Sequence, residues 1–332
     1  MQLNLKNLNT SRNLLAFSAG VDSTALFFLL LENKIEFDIA IVNYNQREQS
    51  KKEVLYAKEL AKKYNKKIFL KELEYEEISN FEKVARDIRY SFFENIIKEF
   101  SYETLITAHQ LNDKLEWFFM QLSKGAGVFE LLGLQEYQKR EFYTISRPLL
   151  NISKEELESY LIENQIKYFI DNTNFDEKYK RNYFRHNFSD KFLKNFKQGV
   201  LKSFEYMQND LDSLNIQLEP IYQKEQLFIF KNLKDENLNI KVIDKCLKRV
   251  GILISKAQRD EILKQQQSVI SNKFAICIQE KTIWICPYIK DTMSKKFKEE
   301  CRVFKVPKLL RSYLFSKGIM PKEILKDLAI YF

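Results

Sequence analysis

The sequence predicts an α/β protein with a doubly wound parallel sheet, a long helical connection and a smaller C-terminal domain. Up to about residue 164, short apolar runs typical of buried strands alternate with longer segments of helical spacing. After about residue 190 this alternation gives way to one long stretch with apolar residues at helical spacing. The chain of 332 residues has room for two domains. We therefore expect a first domain over residues 1–190 and a helical connection with a second domain over residues 191–332.

The predicted elements of the first domain follow one another in strict alternation. The expected strands are residues 13–17, 37–44, 66–73, 104–109 and 142–148. The expected helices are residues 22–32, 47–64, 77–100, one that ends near 124, and 153–164. Right-handed crossovers between parallel strands place ligand sites beyond the carboxyl ends of the strands. Further along, residues 273–280 and 282–289 are possible strands of the second domain.

Composition excludes several classes of protein. No stretch approaches the ~20 apolar residues of a membrane span, and the N-terminus lacks the apolar core of a signal peptide, so a cytoplasmic protein without a membrane partner is expected. The four cysteines (Cys246, Cys277, Cys286 and Cys301) form no CxxC pair, which favours reduced structural thiols. A net charge of +9 is compatible with a polyanionic partner, although lysines also simply solvate a surface.

A short polar break separates the first strand from the first helix. It consists of Ser18, Ala19, Gly20, Val21, Asp22 and Ser23. Backbone N–H groups and the positive end of a helix meet here, which suits phosphate, and Asp22 could hold Mg²⁺. Neither GxxxxGK[ST] nor GxGxxG is present, and a tight turn with Asp22 or Ser23 near the helix cap explains the pattern equally well.

Three further groups of polar residues are candidates for function. His109, Asp113 and Glu116 have the spacing of one helix face after a strand, which suits Mg²⁺ or an ammonium group but also a solvated helix start. Arg86, Arg89 and Tyr90 share a second helix face, suited to phosphate or bases or simply to solvent. The third group lies in residues 178–202, which carry eight Lys or Arg residues, one acid and interleaved aromatics. That composition fits either an RNA contact or a solvated basic helix.

Several motifs in a fixed order resemble a known family. S-x-G-x-D-S after a strand resembles the loop of the PP-loop ATP pyrophosphatases, usually SGGxDS. Six segments together resemble the tRNA(Ile)-lysidine synthetase family over roughly residues 13–190. Besides the loop, they are VNYNQREQSKKE (42–53), ARDIRY (85–90), AHQLNDKLE (108–116), RPLL (147–150) and DNTNFDEKYKRNYFRH (171–186).

The chain departs from the family pattern at five positions. Ala19 replaces a glycine, Tyr44 and Asn45 replace His-Gly, Asn112 replaces an aspartate and Trp117 replaces a threonine. A methyl group at Ala19 is tolerable if φ is negative and destabilising if φ is positive. Asn112 keeps an oxygen ligand but loses a charge.

The resemblance implies a reaction and a set of site residues. ATP would adenylate the C2 oxygen of the wobble cytidine in tRNA(Ile) with a CAU anticodon, and free L-lysine would then displace AMP. Residues 18–23 would bind ATP, with Mg²⁺ at Asp22, and Asp113 and Glu116 would hold lysine beside Arg86 and His109. Arg89, Tyr90, Arg181, Asn182 and Arg185 would contact the tRNA, as would the C-terminal domain.

Two other functions stay open on the sequence alone. Another PP-loop enzyme, such as a tRNA thiolase, would be expected to use cysteines in the first domain, and residues 1–245 contain none. A catalytically inactive tRNA-binding relative is compatible with the changes at Ala19 and Asn112. The oligomeric state is not indicated.

Overall fold

The chain forms two compact units in a computed structural model that describes residues 3–6, 8, 10, 12–45, 48–73, 81–170, 180–214 and 218–331. The units are Met1–Ser213 and Leu214–Phe332. The first unit ends at Ser213, which is also the last residue of the long helix that the sequence predicts after residue 190. The functional boundary at residue 190 stays a prediction.

The first unit contains a six-stranded sheet. Its strands are β1 (Asn13–Ala16), β2 (Phe37–Asn43), β3 (Ile68–Glu72), β4 (Thr104–Ile106), β5 (Tyr137–Lys139) and β6 (Thr144–Ser146). Their order is β3-β2-β1-β4-β6-β5, and only β5 runs antiparallel to its neighbour. The predicted doubly wound α/β fold is confirmed, with a short antiparallel edge strand that the sequence analysis did not predict.

Helices cover both faces of this sheet. They are α1 (Val21–Glu32), α2 (Glu48–Lys63), α3 (Phe81–Phe100), α4 (Leu111–Leu122), α5 (Val128–Leu131), α6 (Lys154–Glu163), α7 (Lys180–Phe184) and α8 (Asp190–Ser213). A π-helical turn over Arg185–Ser189 joins α7 to α8. The predicted helices agree with these bounds to within a few residues, although residues 77–80 of the third lie outside the described residues.

Neighbouring residues of a strand face opposite sides of the sheet. Because helices cover both sides, the central strands are buried on both faces. Leu15 packs in the core beneath α1, α2 and α6, whereas Leu14 packs beneath α3. The chain passes from β1 outward to β3 and then returns to β4 on the other side of β1. The carboxyl ends of β1 and β4 therefore border the switch point at which such sheets bind ligands.

The second unit is a five-stranded antiparallel sheet with a separate core on each face. The strands are β7 (Tyr222–Lys224), β8 (Leu227–Lys231), β9 (Gln267–Ile270), β10 (Phe274–Ile278) and β11 (Thr282–Pro287), in the order β7-β8-β11-β10-β9. The helices are α9 (Glu236–Arg249), α10 (Lys256–Gln265), α11 (Lys295–Val303), α12 (Arg311–Ser316) and α13 (Pro321–Leu328). The two strands predicted here correspond to β10 and β11.

The four cysteines all lie in this second unit. Each is free and buried, which confirms the prediction of structural thiols. Burial raises the pKa of the Cys246 thiol to about 12, so it carries no thiolate near neutral pH. Among the described residues, no helix is long and apolar enough to cross a membrane.

Phe27 is the centre of the aromatic core under α1, and its replacement by alanine should destabilise the first unit by about 3–5 kcal/mol. The side chain is fully buried, and its ring lies 5.2–5.8 Å from the rings of Phe17, Phe28, Phe37 and Tyr64. Urea unfolding followed by Trp117 fluorescence, in a Trp284→Phe background, reports on this unit alone. Ile162→Ala, at a side chain 65% exposed, is the control and should change the unfolding free energy by less than about 0.5 kcal/mol.

Candidate active site

The loop between β1 and α1 is held by hydrogen bonds of its own two serines. The Ser18 amide donates to the Ser23 hydroxyl at 3.2 Å, the two hydroxyl oxygens lie 3.1 Å apart, and the Ser23 hydroxyl donates to the Gly20 carbonyl. Gly20 caps α1 in an extended conformation. The amide of Phe169 donates to the Ala19 carbonyl at 3.0 Å, so a neighbouring segment fixes the loop from outside.

Ala19 adopts a left-handed conformation with φ of 58°. This conformation is disfavoured for a residue with a Cβ by about 1–2 kcal/mol. Of the two cases considered from the sequence, the destabilising one with positive φ therefore applies. The methyl group is completely buried in the core beneath α1. The loop therefore keeps the backbone path that a glycine would allow.

Asp22 is the one acid of this loop, and its environment leaves it poorly solvated. Its Oδ1 atom is buried and finds no hydrogen-bond partner within the described part of the chain. Burial, followed by repulsion from Asp113, raises the pKa of Asp22 to about 7. A buried carboxylate oxygen without a partner, at the start of a helix, fits a divalent cation.

The second part of the site is the start of α4, directly after β4. The Gln110 side chain accepts from the Asn112 amide, and the Gln110 amide donates to Asp113 Oδ2 at 3.1 Å. This capping box fixes the first turn of α4, which carries Asp113, and Glu116 follows in the next turn. His109 lies just before it, with Nδ1 3.0 Å from the Thr107 hydroxyl.

Two arginines close over these carboxylates and form what we term the carboxylate–arginine cluster: Asp113, Glu116, Arg181 and Arg185. The Arg181 guanidinium donates to Asp113 Oδ1 at 2.5 Å and to Glu116 Oε2 at 2.9 Å. The Arg185 Nε donates to Glu116 Oε1 at 2.6 Å. Glu116 is fully buried, whereas the Arg181 side chain remains 44% exposed. The structure thus brings the acids predicted to hold lysine onto the arginines predicted to contact tRNA.

The cluster sets the charge of each member. Burial by itself would raise the pKa of Asp113, yet Arg181, with His109 and Arg185, lowers it below its ordinary value. Burial and repulsion from Asp113 raise the pKa of Glu116, although both arginines oppose this. Burial lowers the pKa of His109 to about 4, so its imidazole is neutral at pH 7.

The arginines of α3 border the site less directly. The Arg86 guanidinium lies 5.0 Å from the centre of the Tyr90 ring, and its charge also lowers the pKa of His109. The charge of Arg89 instead opposes the rise in pKa that burial causes at Tyr44. The Tyr44 hydroxyl donates to the Ala85 carbonyl at 2.9 Å. Arg86 and Arg89 are both exposed on α3.

Arg147 is a further candidate site residue, which lies within the RPLL motif and has no role predicted from the sequence. It is only 4% exposed and donates to the Gln135 carbonyl at 2.7 Å and to Gln138 Oε1 at 3.0 Å. Its positive charge lowers the pKa of His109, and its side chain forms a hydrogen bond with Tyr90. The signal in the sequence was an arginine between two apolar segments. Such an arginine is expected to be buried, and a buried guanidinium needs partners.

The departures from the family pattern have structural explanations. Asn112 Nδ2 donates to Asp190 Oδ1 at 2.6 Å, while its Oδ1 accepts from the Lys154 amide at 3.1 Å. Both ends of the amide thus join α4 to α6 and α8, and its predicted role as an oxygen ligand stays a prediction. Asn45 has φ of 50°, a left-handed conformation that asparagine tolerates where the family has glycine.

Trp117 Nε1 donates to the Glu130 carbonyl at 2.8 Å, and Asn182 is buried. Arg47 and residues 171–179, which belong to two of the quoted motifs, lie outside the described residues.

The fold and this site define a PP-loop protein, and residues 1–192 match the family described as a PP-loop domain. The chain is 46% identical to a tRNA(Ile)-lysidine synthase of Campylobacter jejuni, covering 94% of this chain and 95% of that protein. It is 42% identical to the enzyme of the same name from Wolinella succinogenes, covering 95% and 96%. The chain belongs to the tRNA(Ile)-lysidine synthase family.

The fold also occurs in a solved structure of low sequence identity. A U34-tRNA thiolase from Methanococcus maripaludis superposes with a TM-score of 0.51 at 18% identity, over 64% of this chain and 74% of that one. This likeness extends to the fold and supports no statement about chemistry.

Asp22→Asn should stabilise the protein more at pH 8 than at pH 5. The pKa of Asp22 is about 7 in the fold against 3.8 for the free side chain, so ionisation destabilises the fold increasingly as the pH rises through this window. At ~1.36 kcal/mol per pKa unit, the gain in unfolding free energy should be on the order of 2 kcal/mol larger at pH 8. Urea unfolding of both proteins in EDTA measures it, and equal gains at the two pH values would contradict the burial of this charge.

Proposed function

We propose that this protein ligates lysine to C2 of the wobble cytidine of tRNA(Ile) with a CAU anticodon, using ATP and releasing AMP and pyrophosphate. The observation that carries the proposal is the position of two buried carboxylates beside a phosphate-type loop, at the switch point of the sheet. The near-full-length similarity to tRNA(Ile)-lysidine synthases supports the same reaction. With tRNA as substrate, the reaction belongs in the cytoplasm.

The loop from Ser18 to Ser23 is proposed to receive the phosphates of ATP. It offers backbone N–H groups and the positive end of α1, both of which favour an anion. Asp22 would hold Mg²⁺ through its unpartnered oxygen. No cluster of three or more His, Cys, Asp or Glu side chains within the described ranges could hold a metal alone, so phosphate oxygens and water would supply the remaining ligands. Bound there, Mg²⁺ would neutralise charge on the departing pyrophosphate.

The incoming lysine needs recognition of its ammonium group and then removal of a proton. Asp113 and Glu116 supply two acceptors at one point. Of the two, Glu116 has the raised pKa and is the better proton acceptor. Arg86 and neutral His109 would border the adenylated cytidine, and Arg147 would position His109 and Tyr90.

The charge balance of the carboxylate–arginine cluster implies an order of binding. Two carboxylates and two guanidinium groups cancel, so the closed cluster has no net attraction for an ammonium group. Arg181 is the member that RNA phosphate can reach, because its side chain is 44% exposed, against 13% for Arg185. Withdrawal of Arg181 by tRNA would leave a net negative site for lysine.

The decisive experiment incubates the protein with ATP, Mg²⁺, labelled lysine and a CAU-anticodon tRNA(Ile) transcript. We expect ATP-dependent label on the RNA that is lost when the wobble cytidine is replaced by uridine. Asp113→Asn should abolish incorporation while tRNA binding persists, because it removes one acceptor of the ammonium group. Unchanged incorporation by this variant would contradict the assigned role.

Arg181→Gln should bind lysine without tRNA about tenfold more tightly than the unmodified protein does. The substitution leaves the cluster with one excess negative charge in a buried site, and about tenfold corresponds to ~1.4 kcal/mol. Equilibrium dialysis with labelled lysine, with and without an anticodon stem–loop, measures the effect. If the variant binds lysine no better in the absence of RNA, Arg181 does not block the site.

The changes at Ala19 and Asn112 left open the alternative of an inactive tRNA-binding relative, but their structural roles do not favour it. Ala19 still gives the loop its left-handed turn, and Asn112 forms a bridge between helices. ATP–pyrophosphate exchange stimulated by tRNA would separate an active enzyme from a binding protein.

A further inference from the structure

A line of aromatic rings lies along α7, the π-helical turn and α8, and we term it the aromatic ridge. It consists of Tyr183, Phe184, Phe188, Phe192 and Phe196, joined by Phe119 of α4. The ring centres of Phe184 and Phe188 lie 5.5 Å apart, and those of Phe192 and Phe196 lie 5.0 Å apart. Phe119 connects the two pairs, 5.9 Å from Phe188 and 6.0 Å from Phe192.

The ridge is largely exposed, although its members are among the most apolar side chains. Tyr183, Phe188 and Phe192 are 45%, 41% and 42% exposed, and Phe196 is 57% exposed. Packing of α8 does not account for these rings. The helix already buries Leu193, Val200 and Phe204 in a core shared with α4. A contiguous apolar patch beyond what the core needs marks an interaction surface.

The charge around the ridge indicates the chemistry of the partner. Residues 180–202 carry seven Lys or Arg residues and the single acid Asp190. Lys180 Nζ lies 5.7 Å from the centre of the Phe184 ring, and Lys191 and Lys194 are exposed between the rings in sequence. Exposed rings interleaved with cations bind single-stranded nucleic acid, whose bases stack while its phosphates meet the charges.

The position of the ridge fits the same partner. Its first end adjoins Arg185, which contacts Glu116 in the site. From Phe184 to Phe196 a regular α-helix would rise about 18 Å, and the π-helical turn over Arg185–Ser189 shortens this before the kink at Phe196, so the ridge matches about four or five stacked nucleotides at ~3.4 Å each.

We propose that the aromatic ridge is the stacking surface for the unpaired anticodon-loop nucleotides that flank the wobble cytidine. The inference rests on the proposed function, because it takes the cytidine to be bound at the carboxylate–arginine cluster. The ridge would hold the neighbouring bases unstacked from the loop and so present the cytidine to the site.

The test uses the full-length protein and a CAU anticodon stem–loop with 2-aminopurine in place of the nucleotide that follows the cytidine. Stacking on a ring changes the fluorescence of this base, and the titration needs neither ATP nor lysine. The double variant Phe192→Leu, Phe196→Leu keeps apolar side chains but removes both aromatic faces. We expect about tenfold weaker binding and loss of the fluorescence change. The slope of log K against log salt should stay the same, since no phosphate contact is lost.

Three controls make the result specific. Phe192→Tyr with Phe196→Tyr should restore binding, since both rings return. Tyr206→Leu removes a ring that is 61% exposed on α8 but outside the ridge, and it should change nothing. Lys194→Gln should weaken binding and lower the salt slope by about one, the signature of a lost phosphate contact.

Two outcomes would overturn the proposal. One is full affinity and fluorescence change in the leucine variant. The other is a dimer by sedimentation that the leucine substitutions dissociate, which would make the ridge an interface between two copies of this chain. Lysidine formation by the unmodified protein is measured in parallel. Its absence, with aromatic-dependent binding intact, would count against the proposed function and leave the ridge standing.

Discussion

The ion pairs between the acids of α4 and the arginines that follow Lys180 hold together the part of the first unit where chemistry is expected. Glu116 is buried without any exposed surface, and a carboxylate in that position is tolerated only with charged partners. Arg181 and Arg185 supply them and thereby anchor α7 and the π-helical turn against α4. The aromatic ridge begins in α7 and continues through this turn, so one set of contacts fixes both the acids and the first exposed rings.

Around this cluster the molecule combines a rigid frame with charged groups held in unfavourable surroundings. Asp22, in the first turn of α1, is half-buried, and its Oδ1 atom is buried without a hydrogen-bond partner among the described residues. Arg147 is buried beside its backbone and amide partners. Such groups reduce stability where they stand, and the apolar layers on either side of β1 supply the compensation. The concentration of these groups at the carboxyl ends of β1, β4 and β6 is the physical reason to assign function there.

The sequence predicted the first unit well because each buried strand and each amphipathic helix leaves a local signal. It missed β5 and α5, since segments of three and four residues carry no periodicity that separates them from loop. In the second unit only β10 and β11 were found, because their apolar runs are nearly continuous. The candidate site residues were named from spacing and resemblance. Their pairing was not, because the contact between Glu116 and Arg185 joins residues far apart in sequence and depends on how α7 folds back.

The left-handed conformations at Ala19 and Asn45 bear on how such chains are detected. At both positions the family pattern has glycine, and this chain adopts a left-handed backbone, which glycine favours, with a different residue. The conformation that glycine allows is therefore reached here without glycine. A pattern search that demands glycine at these positions would reject this chain, whereas one that accepts alanine and asparagine in a turn of this shape would retain it. Inventories of such loops built on glycine alone will undercount them.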